Sequence, residues 1–290
     1  MDTRCTNSRE SILEAQIENT DWARLSTAER IRWVELEGYV VIPDLLSLDL
    51  LEKIRKELAR LPTTPVDYSE HQRGSSGVHW TDSPNAIRVI GLPAMVEFLK
   101  ALLGDDLICT SCGYGLSQPG HPGIAIHTDS QPYGSTIFGV QASSPCLVRA
   151  LYYLDDLTPE RSPFKVIPRS HLSLHVDGIP YNRYLAHPDE RMVTCKAGSA
   201  VIINQKVFHG NFPNYSSEDR RMLAIAYRPA WAGPISDVPD HDPKKVAKLL
   251  PEVQPFFKSL NTRKINFDVP NRPDDLVVEA LGISPTRWEG

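Results

Sequence analysis

The sequence predicts a mainly β domain of jelly-roll type, two sheets packed face to face, with flanking helices toward its N-terminal end. Three observations lead there. Up to about residue 103 the apolar residues recur at helical spacing. Beyond residue 107 the texture changes to short runs rich in Val, Ile, Tyr and Thr between Gly, Pro and Asp clusters. The composition, 290 residues with 41% apolar and 23% charged, is ordinary globular usage that closes a sizeable core. An initial helical segment followed by many short strands packs as a double sheet with helices covering one face.

Ser26-Thr27-Ala28-Glu29 is a capping box. Ile31, Val34 and Leu36 continue it as a helix until Gly38, which suits a C-cap. Tyr39-Val40-Val41-Ile42 follows as a short strand ended by Pro43, and Leu51, Ile54, Leu58 and Leu61 mark a second helix up to Pro62. Residues 63–91 are polar and rich in Ser and Gly, with His71, His79 and Trp80, and are expected as a long surface loop bordering a pocket. A third helix is expected over 94–103, closed by Gly104. The expected strands are 107–116, 123–127, 146–154, 165–168, 192–195, 200–204 and 220–227. Past Ala232 the chain turns Pro-rich and alternately charged, with one helix over 243–250. The expected organisation is an N-terminal extension over 1–25, one β domain with N-terminal helices over 26–232, and a C-terminal wrap or lid over 233–290.

A formal charge of −5 lacks the concentrated basic surface that a phosphate-backbone binder needs, so no nucleic-acid partner is expected. Charges interrupt the first 25 residues every few positions, which excludes a signal peptide or membrane span there and points to the cytoplasm with no membrane partner. Five scattered cysteines, Cys5, Cys109, Cys112, Cys146 and Cys195, form no disulfide pattern and suit a reducing compartment. Cys109 and Cys112 make a CxxC, but no second pair follows at zinc spacing and the segment reads as a strand with buried thiols.

Two histidines and one carboxylate on one face are the donor set for iron(II) with open positions. His-x-Asp on a strand supplies two of them, because side chains two apart share a face. Nine His and twenty Asp give about 0.6 such matches by chance, and three occur: His127-Thr-Asp129, His175-Val-Asp177 and His187-Pro-Asp189. The third sits in the polar, proline-containing turn HPDER. The second lies between strands, ahead of Gly178-Ile-Pro180. The first ends the alternating run Gly123-Ile-Ala-Ile-His127 and opens into a Gly- and Ser-containing loop, where a pocket mouth belongs, so His127 and Asp129 are the expected pair.

In ordered blocks the chain resembles the phytanoyl-CoA dioxygenase family of iron(II)/2-oxoglutarate oxygenases. The blocks are Glu37-Gly-Tyr-Val-Val-Ile-Pro-Asp-Leu-Leu46, His127-Thr-Asp129, Leu154-Asp-Asp156, Val166-Ile-Pro-Arg-Ser-His171, Gly198-Ser-Ala-Val-Ile-Ile-Asn204, His209-Gly210 and Arg220. Arg169 replaces the family's usual glycine. The resemblance spans about residues 30–230 and implies a double-stranded β-helix, cupin-like core. It implies that His127, Asp129 and His209 bind Fe(2+), that Arg220 holds the co-substrate 2-oxoglutarate, and that O2 is consumed. The eleven residues from His209 to Arg220 are the spacing of the family the chain resembles, which favours Arg220 over Arg221, a neighbour that points to the opposite strand face. A guanidinium fork suits the distal carboxylate of 2-oxoglutarate. The implied reaction oxidises a small-molecule substrate, with succinate and carbon dioxide as co-products. Asp129 occupies the position that halogenating relatives leave vacant for a halide, which favours hydroxylation.

Arg149 is a second polar candidate, facing either inward or outward; Ser117 and Gln118 precede the loop to His127, where related enzymes often place co-substrate contacts, and Gln131, Tyr133 and the 63–91 loop are pocket edges or plain surface. Two rival readings stay open from the residues alone, a non-catalytic metal or small-ligand barrel and a zinc hydrolase using the same three ligands. Neither requires Arg220.

Overall fold

The N-terminal helix starts where its capping box sets it. The computed structural model describes residues 15–75, 83–129, 147–172, 186–233 and 237–262. Helix α1 (Thr27–Glu37) has the Ser26 hydroxyl accepting from the Glu29 N–H and the Glu29 carboxylate accepting from the Ser26 N–H. It ends at Gly38, whose φ of 87° is the left-handed conformation of a glycine cap. Helix α2 (Leu48–Leu58) buries Leu51, Ile54 and Leu58. A short α3 (Pro84–Arg88) and α4 (Pro93–Leu103) follow, the latter burying Met95, Phe98, Leu99, Leu102 and Leu103.

Two sheets make the jelly-roll core. The larger runs in the order β2 (Tyr39–Ile42), β10 (Ala200–Asn204), β7 (Val148–Tyr153), β12 (Arg220–Pro229), β5 (Leu107–Ser117), β4 (Ser69–Ser75) and β3 (Thr64–Val66). The smaller runs β1 (Gln16–Ile17), β9 (Arg191–Val193), β8 (Phe164–Val166), β11 (His209–Asn211) and β6 (Ile124–His127). Strand β10 is buried along its whole length, as its unbroken run Ala-Val-Ile-Ile requires. Alternation sorts β7 into two faces. Tyr152 turns toward Tyr227, whose hydroxyl donates to the Ile90 carbonyl on the helical side. Arg149, Leu151 and Tyr153 turn the other way, into the space between the sheets.

The sequence and the structure differ at three places. Residues 63–91, expected as a loop, contain the β3–β4 hairpin and α3. Strand β4, Ser-Glu-His-Gln-Arg-Gly-Ser, shows no apolar alternation because backbone pairing to β5 holds it, from Gln72 opposite Ser117 to Ser75 opposite Tyr114. The three residues of β11 are likewise too short for a periodic signal. The helix expected over 243–250 is a single turn, α5 (Pro243–Val246), followed by turns up to Pro251. His79, Trp80, Gln131, Tyr133, Cys5, Cys146 and the His175-Val-Asp177 segment lie outside the described residues.

Other expected features have clear local geometry. His187-Pro-Asp189 is a turn, with the Glu190 N–H donating to the His187 carbonyl at 3.0 Å. Arg169 adopts φ 65°, where an L side chain is disfavoured by roughly 1–2 kcal/mol. Its backbone N–H donates to the Glu37 carbonyl and its guanidinium forks onto the Glu37 carboxylate, which holds the conformation. Cys109 and Cys112 lie on β5 as free thiols, and burial pushes Cys109 up to about 12, so neither is a ready thiolate. At the far end of β12, buried Arg228 donates to the carbonyls of Leu260 and Thr262 and ties residues 237–262 to the sheet. At the other terminus β1 pairs in parallel with β9, and Trp22 joins the main core.

Candidate metal centre

The smaller sheet brings His127 and His209 together. They are ladder partners on β6 and β11, with ring centroids 4.4 Å apart. The strands approach this closely because residue 210 is glycine: a Cβ there would collide with the Ile124 carbonyl oxygen and meet that of Ala125 at 3.1 Å. Asp129 follows β6 by two residues, and its N–H donates to the Gln205 carbonyl at 2.8 Å, pinning it to the turn that leads into β11. One ligand atom from each of His127, Asp129 and His209 lies within 4.8 Å of the other two.

Hydrogen bonds decide which imidazole nitrogens face that point. Nδ1 of His127 lies 2.9 Å from the Ala125 carbonyl, and Nδ1 of His209 lies 3.0 Å from the Val207 carbonyl. A carbonyl only accepts, so both Nδ1 atoms carry the proton and each Nε2 keeps a lone pair. Burial, reinforced by the neighbouring His127, holds His209 down to about 4, which keeps it a neutral donor. His209 Nε2 is 3.8 Å from Asp129 Oδ2, and that oxygen is buried without a hydrogen-bond donor. Two lone-pair imidazoles and an unsatisfied carboxylate oxygen at one point fit a divalent iron site.

The larger sheet supplies a buried cation. Arg220 is 0% exposed at the start of β12, directly opposite Ser117 on β5. Its Nη2 donates to Ser117 Oγ at 2.6 Å and to Ser162 Oγ at 3.4 Å, while its Nε is buried and unpaired. Among the described residues no carboxylate lies within ion-pair distance of it. Burial pushes its pKa down, opposed by Tyr153, whose ring centroid is 5.8 Å from the guanidinium carbon. A buried guanidinium with spare donors and no counter-charge fits a dianionic ligand that brings its own carboxylate.

The pocket around Arg220 contains residues that carried no sequence signal. Gln72 accepts from Ser117, and His121 sits 3.4 Å from Ser162 Oγ with Nε2 buried and unpaired. Burial first, then Arg220, holds His121 down to about 3, so a second cation does not form there. Ser162 is left-handed at φ 47°, a strained conformation of the kind that clusters at ligand sites. Asn211, two residues beyond His209, donates to the Ser162 carbonyl and links the two halves of the site.

Arg149 faces inward. Its Nε lies 2.6 Å from Asp129 Oδ2, yet neither atom is hydrogen-bonded, so the N–H is not aimed at the oxygen and the contact is an ion pair only. Of the two residues ahead of the loop to His127, Ser117 meets Arg220, whereas Gln118 caps the loop, its N–H donating to the His71 carbonyl.

Comparison with known proteins shows what the chain is similar to. The L-proline trans-4-hydroxylase of Streptomyces griseoviridis is 25% identical over 230 residues, covering 66% of this chain and 82% of that protein. The methylphosphonate hydroxylase of Gimesia maris is 22% identical over 237 residues, covering 73% and 84%. In fold, the chain is similar to HygX from Streptomyces hygroscopicus, solved with nickel, 2-oxoglutarate and hygromycin B, at a TM-score of 0.57 and 20% identity over 71% of this chain and 88% of that one. The family model described as phytanoyl-CoA dioxygenase (PhyH) matches residues 34–222, a span that holds the metal-centre triad and Arg220. With that match over well over half its length, the chain belongs to the phytanoyl-CoA dioxygenase family of iron(II)- and 2-oxoglutarate-dependent oxygenases.

Proposed function

We propose that the protein hydroxylates a small organic molecule, with His127, Asp129 and His209 as the iron ligands and Arg220 as the anchor for the distal carboxylate of 2-oxoglutarate. One observation carries this reading: a three-ligand cluster and a buried guanidinium with no carboxylate within ion-pair distance among the described residues are linked through Ser162, whose hydroxyl accepts from Arg220 and whose carbonyl accepts from Asn211, two residues beyond His209. A zinc hydrolase or a passive binding barrel gives Arg220 no counter-charge. When bound, iron(II) and 2-oxoglutarate supply the oxidising power: one oxygen atom of O2 enters succinate as carbon dioxide leaves, and the other enters a substrate C–H bond. The chain's own residues position and shield. His127 and His209 present fixed lone pairs, Asp129 adds one negative charge, and Ser117 holds the Arg220 fork still. Leu151 and Phe164, the latter stacked on His209 at 5.9 Å, line the space with apolar surface and limit water.

The relatives named as hydroxylases of L-proline and methylphosphonate support a small, polar substrate. The carboxylate at position 129 supports hydroxylation over halide transfer. Of the expected C-terminal wrap or lid over 233–290, the described residues 237–262 support a wrap through the bonds of Arg228 to Leu260 and Thr262. The free thiols of Cys109, Cys112 and Cys195 support a cytoplasmic setting, and no described helix is long and apolar enough to cross a membrane.

The test is anaerobic addition of iron(II) and 2-oxoglutarate, followed by the weak visible charge-transfer band of the chelated metal. The expected result is a band in the native protein, none in His127→Ala, and a weakened one in Arg220→Ala at equal co-substrate. No band in the native protein, with zinc retained instead, overturns the reading.

A further inference from the structure

We infer that Arg149 is a substrate-recognising residue and that the substrate carries a carboxylate, which the Arg149 guanidinium holds beside the metal. The inference rests on the iron(II)/2-oxoglutarate reading above and names the substrate class for the same site.

Three observations lead to it. First, Arg149 is the inward residue of β7 nearest the metal centre, sharing a face with Leu151 and with Tyr153, which lies under Arg220. The two guanidiniums therefore sit toward opposite ends of one row, and they differ in access: Arg220 is 0% exposed, whereas the Arg149 side chain is 35% exposed. A cation at the open end of a site meets the molecule that comes and goes.

Second, Arg149 has donors to spare. Among the described residues its only ion pair is the misaligned one from Nε to Asp129 Oδ2, and nothing accepts from its Nη groups. That oxygen also faces His209 Nε2 and so belongs to the metal-ligand cluster. An acceptor shared with a metal ion is a poor sole partner for a guanidinium, whose parallel Nη donors match a carboxylate.

Third, the charges do not balance without another anion. The two carboxylates of 2-oxoglutarate match the two charges of iron(II), and Asp129 offsets one of the two guanidiniums. Asp155 is already taken by Arg221, with Arg55 and Arg161 beside it. The stretch 130–146, which joins Asp129 to β7, contains no acidic residue. Among the described residues and the stretch 130–146, one positive charge at the mouth is left for the substrate to neutralise.

The test uses the anaerobic iron(II)·2-oxoglutarate complex, formed first and verified by its visible band. Hexanoate, benzoate and N-acetylglycinate are titrated by calorimetry, each against its carboxamide, into the native protein, Arg149→Gln and Arg149→Lys. The expected result is that carboxylates bind at least tenfold tighter than their amides in the native protein, about 1.4 kcal/mol. The preference disappears in Arg149→Gln and is partly kept in Arg149→Lys. It is a ratio taken within each variant, so a change in metal affinity cancels. If the band forms but native protein treats acids and amides alike, or Arg149→Gln keeps the preference, the inference is overturned while the oxygenase reading stands. If instead Arg149→Gln weakens 2-oxoglutarate binding tenfold or more with no acid preference in the native protein, Arg149 serves the co-substrate and the inference is equally overturned. Failure of the band in the native protein removes the reading and this inference together.

Discussion

Arg221 forks onto the buried carboxylate of Asp155, Nη2 to Oδ1 at 2.6 Å and Nε to Oδ2 at 2.9 Å, on the face of β12 opposite to Arg220. Its backbone N–H donates to the same carboxylate at 2.8 Å, so Asp155 fixes the first residues of β12 and with them the direction in which Arg220 projects. Arg55 and Arg161 lie 3.5 and 3.6 Å from Asp155. Asp155→Asn leaves three guanidiniums without their shared charge. The expected loss is roughly 3 kcal/mol in urea unfolding, as for breaking a buried ion pair, together with weaker 2-oxoglutarate binding from a loosened Arg220. An unchanged unfolding midpoint contradicts this role.

Arg220 holds a charge in the interior with no carboxylate within ion-pair distance among the described residues. Arg220→Met is expected to raise the melting temperature of the ligand-free protein by a few degrees, about 1 kcal/mol, because an uncompensated buried charge is removed. The same variant is expected to lose on the order of a hundredfold in 2-oxoglutarate affinity, roughly 3 kcal/mol. Thermal shift with and without 2-oxoglutarate reads both effects. A variant both less stable and equally stabilised by co-substrate contradicts them.

Gly210→Ala tests the close approach of β11 to β6. The added methyl meets the Ile124 and Ala125 carbonyl oxygens, so β11 is expected to move away and carry His209 from His127. Metal affinity, measured by competition with a chromophoric chelator, is expected to fall at least tenfold while the far-ultraviolet circular dichroism stays β-like. Native affinity means that the contact is relieved elsewhere.

Stability is expected to fall as the solution is acidified below neutrality, and His121 contributes. Its ordinary value of 6.5 is depressed to about 3 in the fold. Between those values the unfolded chain takes up a proton that the folded chain refuses. Its contribution is therefore complete above pH 6.5 and is lost as pH falls toward 3. His121→Gln is expected to flatten the decline of the unfolding free energy between pH 7 and 5; an unaltered slope assigns the decline to other groups.

Legibility in the sequence followed burial. The helices and the strands with one or two covered faces announced themselves by period and by caps, down to the reciprocal Ser26–Glu29 bonds. Strand β4 stayed hidden because its residues are held through their backbones at the rim of a sheet, and backbone pairing leaves no mark in side-chain pattern. The candidate site was legible where a short motif closes a strand and leads out of it, as in His127 at the end of β6 and Asp129 two residues past it, or where alternation separates neighbours, as in Arg220 and Arg221. It was illegible where partners come from distant loops: Ser162 and His121 meet Arg220 only because the sheets stack. Arg149 was ambiguous until its contact with Asp129 placed it inside.

The single ladder pair that joins His127 to His209 also sets the order of events when the chain acquires its metal. The two imidazoles belong to strands with β7, β8, β9 and β10 between them in the chain, and neither histidine has the other within reach until the small sheet has closed around β11. An ion held by both imidazoles would therefore meet them only in the finished scaffold, and would stabilise it by binding the folded state and not the unfolded one. With His127 and His209 as the proposed ligands, metal uptake would thus report on folded copies alone.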